Sequence, residues 1–197
     1  SADEQPREHE RYGVRAGVSR YGWELADADP ESNQEAYARF NAAPIGASAT
    51  EDYRNEPNAF GWIVEIDPFD PESTPVKRTH LGRFAHEGVV FQPPVEGQPI
   101  VCYSGDDARN EYIYKFVSAQ PYFRATAGGY LLDSGTLYVA KFNEDGTGEW
   151  LPLVWGVLPL VPQPINQGEE PDCTCFQSQA DVLVNTRLAA DRLGATP

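Results

Sequence analysis

The segment Arg83-Phe-Ala-His-Glu87 holds a guanidinium, an imidazole and a carboxylate within five residues, directly before a predicted strand. In an extended chain Arg83, Ala85 and Glu87 lie on one face and His86 lies on the other. An arginine beside a carboxylate can bind an anion while the carboxylate binds a cation. The same residues can equally form a surface ion pair with a hydrogen-bonded histidine, so the spacing leaves both interpretations open.

A second acidic segment, Gly105-Asp-Asp-Ala-Arg-Asn-Glu111, lies between two apolar strands. Its three carboxylates, on Asp106, Asp107 and Glu111, are hard oxygen ligands of the kind that Ca²⁺ prefers. The segment lacks the twelve-residue pattern of an EF-hand loop. The alternative is a polar hairpin tip in an acidic protein.

A third candidate is the segment Glu51-Asp-Tyr-Arg-Asn-Glu-Pro-Asn58, just before the apolar run Phe60–Ile66. Loops at strand ends often carry ligand-binding residues. A solvated turn is the equal alternative. From the three segments together, the candidates for substrate binding are Arg83, Arg109, Asn55 and Glu56.

The three cysteines exclude a complete set of intramolecular disulfides. Cys173-Thr-Cys175 resembles half of a soft-metal site, but a second pair is missing, so a loop with free thiols is the alternative. Cys102 falls in a predicted strand and is expected in the core. The sequence contains none of the motifs G-x-S-x-G, G-x-x-x-x-G-K-[ST], H-E-x-x-H or G-x-G-x-x-G, so serine-triad and P-loop chemistry have little support.

Composition narrows the class of protein. The 197 residues include 15 Lys and Arg against 30 Asp and Glu, a formal charge of −15, which opposes direct binding to nucleic acid. The first residues are polar rather than a secretory signal, and no run reaches the ~18 apolar residues that a membrane helix needs. The 17 glycines, 17 prolines and 12% aromatic residues indicate a fold rich in strands and turns.

Periodicity predicts short strands about ten residues apart, and one helix. The helix covers Ser178–Leu193, with Ser178 as N-cap and Gly194 as C-cap. The turn Asn143–Gly148 has the chemistry of a hairpin. A short helix is also predicted at 35–40. The predicted strands are Tyr21–Leu25, Phe60–Ile66, Val76–Leu81, Gly88–Phe91, Pro99–Tyr103, Tyr112–Val117, Thr136–Phe142 and Glu149–Leu151. This pattern fits a sandwich, a barrel or a propeller.

Taken together, these segments resemble the PhoX-type alkaline phosphatases, also described as the DUF839 family. Each motif is weak alone, but six occur in the family's order and span nearly all of residues 11–197. They are Arg20–Glu24; Asp52–Glu56 with Phe60–Pro68; Lys77–Thr79 with Leu81–Glu87; Gly105–Asp107 with Glu111–Ser118; Leu137–Asn143 with Gly146–Leu151; and Gln179–Ala190.

The resemblance implies an all-β fold, a β-propeller with long loops and a short C-terminal helix. It implies hydrolysis of small organic phosphate monoesters at a site of Ca²⁺ and Fe³⁺, and twin-arginine export to the periplasm or the exterior. Carried over to this chain, Glu87 is the expected metal ligand and Arg83 the expected phosphate contact. Asp106, Asp107 and Glu111 would line the calcium side.

The family is much longer than 197 residues, and its first half supplies the export signal and several metal ligands. We therefore expect a single partial propeller domain over 1–197, corresponding to the central and C-terminal part of the family, with an irregular first segment 1–20 and a divergent loop 152–177. Open sheet edges would favour self-association. Two alternatives are a non-catalytic calcium-binding propeller segment and another calcium-dependent propeller hydrolase such as a lactonase.

Overall fold

The computed structural model describes residue 39 and residues 41–161 and 176–197. The chain divides into two compact units, Ser1–Phe60 and Gly61–Pro197. The predicted first segment 1–20, the strand Tyr21–Leu25, the helix at 35–40 apart from Arg39, and both Cys173 and Cys175 lie outside the described residues. The same holds for residues 162–175 of the predicted divergent loop.

The second unit is built on a five-stranded antiparallel sheet in which each strand pairs with the next along the chain. A separate two-stranded sheet precedes it. The small sheet consists of β1 (Val64–Glu65) and β2 (Val76–Lys77), and the large sheet of β3 (Val90–Phe91), β4 (Pro99–Gly105), β5 (Ile113–Pro121), β6 (Gly135–Phe142) and β7 (Gly148–Pro152).

The long predicted strands are confirmed, and β4, β5 and β6 each extend beyond the predicted bounds at one end or both. Three predictions were wrong in extent. Of the predicted strand Gly88–Phe91, only Val90–Phe91 is a strand. The run Phe60–Ile66 forms only the strand Val64–Glu65, and Val76–Leu81 forms the strand Val76–Lys77 followed by a 3₁₀ turn at Thr79–Leu81. These two short strands pair with each other over two residues only, so neither has further backbone hydrogen-bond partners along the rest of the predicted run.

The predicted C-terminal helix is present as two helices, α1 (Gln179–Val184) and α2 (Thr186–Leu193). The predicted caps are confirmed: the Ser178 hydroxyl accepts a hydrogen bond from the Asp181 amide, and Gly194 is left-handed at φ 75°. Asn185 separates the helices, with φ −110° and ψ 45°. Its side-chain amide donates to the Asp181 carbonyl at 3.1 Å, the same carbonyl that accepts the Asn185 backbone amide at 2.9 Å.

One face of the large sheet carries the hydrophobic core. Alternate residues of β4, β5 and β6 point inward, and the two helices and the 3₁₀ turn pack against them. The inward residues are Cys102, Tyr114, Phe116, Leu137 and Val139; the packing partners include Leu81, Phe84, Val182, Leu183, Ala189 and Ala190. The predicted core position of Cys102 is confirmed, since only 2% of its surface is exposed.

The described part of the protein is therefore mostly β-sheet with a pair of C-terminal helices. Among these residues the sheets are open rather than closed into a ring. Within the same ranges, none of the helices has the length and apolar character needed to cross a bilayer.

Candidate functional site

The segment Arg83–Glu87 follows a sharp turn at Gly82, whose φ of 82° suits glycine. A Cβ on Gly82 would lie 2.7 Å from Leu137 and 2.8 Å from the Thr186 hydroxyl. The turn therefore brings the segment close to both the sheet and the helix pair. Glycine is required at this position for its conformation and for its size.

Arg83 is fixed to the junction of the two helices. Its backbone amide donates to the Leu183 carbonyl and to the Thr186 hydroxyl, both at 3.0 Å. Its Nε donates to the Val184 carbonyl at 2.9 Å. One edge of the guanidinium thus donates to a carbonyl at the C-terminal end of α1, where carbonyl groups lack helical partners.

His86 uses both ring nitrogens within the fold. Nδ1 lies 2.7 Å from the Ser104 hydroxyl, and Nε2 lies 3.0 Å from the Gly82 carbonyl. Burial lowers the pKa of His86, and the bond to Gly82 and the charge of Asp106 oppose that shift only in part. The imidazole therefore connects the turn at Gly82 to Ser104 on β4.

The acidic segment Gly105–Glu111 connects β4 to β5, as the hairpin interpretation predicts. The Asp106 amide donates to the Tyr112 carbonyl at 3.1 Å, and the Ala108 amide donates to Asp106 Oδ1 at 3.2 Å. Asn110 adopts a left-handed φ of 60°, a conformation in which asparagine is enriched. One backbone bond and one bond to the Asp106 side chain thus shape the loop.

The Asp106 carboxylate is bound by Arg187, which lies in the first turn of α2. Arg187 Nε donates to Oδ2 and Nη2 donates to Oδ1, both at 2.7 Å, and no part of the Asp106 side chain is exposed. Glu111 Oε2 lies 3.7 Å from the same Nε, and the Glu111 side chain is 3% exposed. Burial lowers the pKa of Arg187, but the hydrogen bonds and charge of Asp106, aided by Glu111, outweigh it and raise the pKa overall.

Tyr114 lies beside this charged group at the base of the loop. Its ring stacks on Phe84, with centroids 4.2 Å apart. The segment Arg83–Glu87 and the acidic loop therefore pack on the same pair of aromatic rings. Burial, together with the negative charges of Asp106 and Glu111, raises the pKa of Tyr114 well above its ordinary value. The hydroxyl therefore stays protonated at any physiological pH.

Three predicted site residues face solvent. Glu87, Asp107 and Arg109 are exposed, and within the described ranges their side chains make neither a hydrogen bond nor an ion pair. The backbone nevertheless places Glu87 and Asp107 near each other: the Glu87 amide donates to Gly105 at 3.2 Å, and the Asp107 amide donates to Ala85 at 2.9 Å. These groups remain available to a ligand.

Asn55 and Glu56 belong to the other compact unit. Asn55 is exposed and caps a 3₁₀ turn at Glu56–Ala59, and Glu56 forms an ion pair with Arg39. In the same loop Arg54 binds Asp52 with both ends of its guanidinium, through Nε at 2.8 Å and Nη2 at 2.7 Å. The side-chain hydrogen bond from Arg54 lowers the pKa of Asp52 despite burial.

The four predicted metal ligands do not fit a single ion. Within the described ranges, no three His, Cys, Asp or Glu side chains form a group that could hold a metal. Both oxygens of Asp106 accept from Arg187, and Glu111 faces the same guanidinium. Because Ca²⁺ takes six to eight oxygen ligands, Glu87 and Asp107 could supply only part of a site.

The residue that sequence reasoning missed is Arg187. It is 81 positions from Asp106 along the chain, so spacing could not reveal the pair. In the predicted helix Ser178–Leu193 this arginine falls in the middle, so no local pattern marked it as the partner of the acidic loop; only the division at Asn185 places it in the first turn of a helix.

The fold and site thus define a mostly β protein with an Arg–His–Glu segment and an acidic hairpin loop, both attached to one helix pair. The family described as "Alkaline phosphatase PhoX" matches residues 2–197, so the chain belongs to the PhoX alkaline phosphatase family. The resemblance found in the six motifs is confirmed.

A solved structure described as "Pseudomonas fluorescens PhoX in complex with vanadate, a transition state analogue" is similar to this chain. The two are 37% identical, with a TM-score of 0.61 over 91% of this chain. The chain spans 31% of the length of that protein. Among proteins with curated descriptions, none matches the sequence.

Proposed function

We propose that this chain is part of a metal-dependent phosphatase that hydrolyses small organic phosphate monoesters. The observation that carries the proposal is the 37% identity to Pseudomonas fluorescens PhoX, whose solved structure holds vanadate, described as a transition-state analogue. The match of the PhoX family to residues 2–197 supports it independently.

The chemistry of the predicted substrate contacts agrees with this reaction. The guanidinium groups of Arg83 and Arg109 are suited to phosphate oxygens, which they can bind through paired hydrogen bonds. Asn55 and Glu56 remain predicted substrate contacts. With a formal charge of −15 the protein repels a free phosphate ester, so binding needs these cationic groups or bound metal ions.

We assign Ca²⁺ and Fe³⁺ to the active protein, with Glu87 as the ligand that this chain supplies. Metal ions at such sites stabilise the attacking and leaving oxygens of phosphoryl transfer. Asp106, Asp107 and Glu111 stay predicted ligands of the calcium side, although Arg187 binds both oxygens of Asp106 in this structure. Glu87 is the favoured member because it is exposed and because backbone hydrogen bonds fix its position.

For the architecture, we propose that the large sheet is one blade of a β-propeller. Propeller blades are four-stranded antiparallel sheets, and β4 to β7 form such a sheet in chain order, with the two-residue strand β3 added at one edge. The edge strand β3 leaves Val90 70% exposed, which favours self-association through that edge. By family resemblance we place the protein in the periplasm or outside the cell.

The test uses the natural protein that contains these residues, assayed for phosphate release from p-nitrophenyl phosphate. We expect turnover that is lost in EGTA, restored by Ca²⁺ and inhibited by vanadate. A lactone substrate serves as the control that separates a phosphatase from a propeller lactonase. Failure to release phosphate under any combination of Ca²⁺ and Fe³⁺ would overturn the proposal.

A further inference from the structure

One buried charged contact in the second unit joins two elements that are far apart in sequence. Arg187 donates from Nε and Nη2 to the two oxygens of the fully buried Asp106 carboxylate. A guanidinium in the first turn of α2 gains nothing from the helix dipole, so the carboxylates of the hairpin loop must stabilise it. The pair therefore attaches the loop to the helix.

The same loop sets the backbone of the segment that carries Glu87. Asp106 forms an antiparallel bridge with His86, the residue immediately before Glu87. The Glu87 amide donates to Gly105 at 3.2 Å, and the Asp107 amide donates to Ala85 at 2.9 Å. Any movement of Asp106 is therefore transmitted to Glu87 through backbone hydrogen bonds on both sides of the bridge.

We propose that Arg187 is a positioning residue, which holds Asp106 and thereby fixes the backbone of Glu87. The role of Glu87 in catalysis rests on the function proposed above, whereas the contact between Arg187 and Asp106 is a property of the fold. Two features make the arginine fork necessary. Lysine offers one compact charge and cannot bind both oxygens in parallel, and an Asp106 left without its cation would be a buried unpaired charge.

The test measures hydrogen exchange at individual amides of the purified chain in EGTA. In Arg187→Lys we expect the protection of the Glu87 and Asp107 amides to fall by about tenfold or more, because their bonds open with the loop. The Ala119 amide, which donates to Ser134 at 2.9 Å toward the other end of β5, should keep its protection. Arg192→Lys, an exposed substitution in the last turn of α2, is the matched control and should change none of the three amides.

A second measurement covers the case in which the lysine variant is too unstable for exchange. Thermal unfolding of Asp106→Asn, Arg187→Gln and the double variant forms a mutant cycle. Each single change should lower Tm by on the order of 10 °C, and the double variant should lower it little further.

Additive Tm shifts, unchanged protection at Glu87, or an equal loss of protection at Ala119 would each overturn the inference. Neither measurement involves turnover. A chain that gives the expected exchange and Tm results but hydrolyses no phosphate ester would overturn the proposed function alone.

Discussion

Tyr112 and Tyr114 lie edge to face with ring centroids 6.4 Å apart, yet their hydroxyls have opposite environments. The Tyr112 hydroxyl donates to the Asp191 carboxylate on α2. The Tyr114 hydroxyl is fully buried and has no hydrogen-bond partner among the described residues. A buried polar group in that condition costs free energy that the folded protein must recover through other contacts.

Replacing each tyrosine by phenylalanine should therefore give opposite results. Tyr114→Phe removes only an uncompensated hydroxyl, so the free energy of unfolding should stay the same or rise by up to about 1 kcal/mol. Tyr112→Phe leaves Asp191 without that donor and should lower the free energy of unfolding by about 1 kcal/mol. Urea denaturation of the two variants measures the difference. A larger loss in Tyr114→Phe than in Tyr112→Phe would show that the Tyr114 hydroxyl has a partner in solution.

Gly82→Ala should be among the most destabilising single changes near the site. Gly82 has φ 82°, and a Cβ there would meet Leu137 at 2.7 Å and Thr186 at 2.8 Å. With ψ 162° this backbone conformation is essentially confined to glycine, so strain of about 1 to 3 kcal/mol adds to an overpacking cost of about 1 to 3 kcal/mol.

Gly97→Ala is the matched control for Gly82→Ala, since Gly97 has φ 76° and nothing within 4 Å of a new Cβ. Gly97→Ala should lower the free energy of unfolding by the backbone strain alone. Equal losses of unfolding free energy in the two variants would mean that the close packing of Gly82 against the helix pair is absent.

Cys102 should make stability depend on pH in the alkaline range. Burial raises the pKa of its thiol from 9.0 to about 12. Because the unfolded chain releases the thiol proton first, the stabilising contribution is complete below pH 9 and is lost as pH rises toward 12. Between pH 8 and pH 10 the loss should be about 1 kcal/mol.

Comparing Cys102→Ala with the parent protein by urea denaturation at pH 8 and pH 10 isolates this dependence. The variant should lose less stability than the parent over that interval. Native Cys102 should also resist iodoacetamide at pH 8 and react fully after denaturation, as peptide mapping by mass spectrometry would show. Rapid labelling of the native thiol would contradict its burial.

Much of the sheet could be predicted because burial on one face imposes a period of two. Tyr114 and Phe116 on β5 and Leu137 on β6 alternate with exposed or half-buried neighbours, and the strands predicted there are confirmed. The run Phe60–Ile66 has a similar composition, but a pattern cannot show whether a partner strand is present. The apolar spacing of Ser178–Leu193 likewise predicts one helix, because spacing cannot show that the Asn185 backbone leaves the helical region, with φ −110° and ψ 45°, between α1 and α2.

The candidate site was less predictable because its contacts are long-range. Spacing indicated the acidic loop but could not decide between a cation and a guanidinium as its partner. In the fold, Arg187 binds Asp106 from 81 positions away, and Arg83 reaches the Val184 carbonyl from 101 positions away. The local order of residues contains no record of such pairs, which depend on how the helices return across the sheet.

The proposed function makes phosphate-ester hydrolysis depend on Glu87 as the metal ligand that this chain supplies. The most direct measurement is kcat/KM for p-nitrophenyl phosphate in Ca²⁺ and Fe³⁺, comparing Glu87→Gln with the natural protein and with Glu144→Gln. Glu144 is an exposed glutamate in the turn between β6 and β7 and is the matched control. We predict a loss of at least about a hundredfold in Glu87→Gln, since even outer-shell partners of a metal cost 10–100-fold, and an unchanged rate in Glu144→Gln. Hydrolysis by Glu87→Gln at the rate of the natural protein would contradict the account.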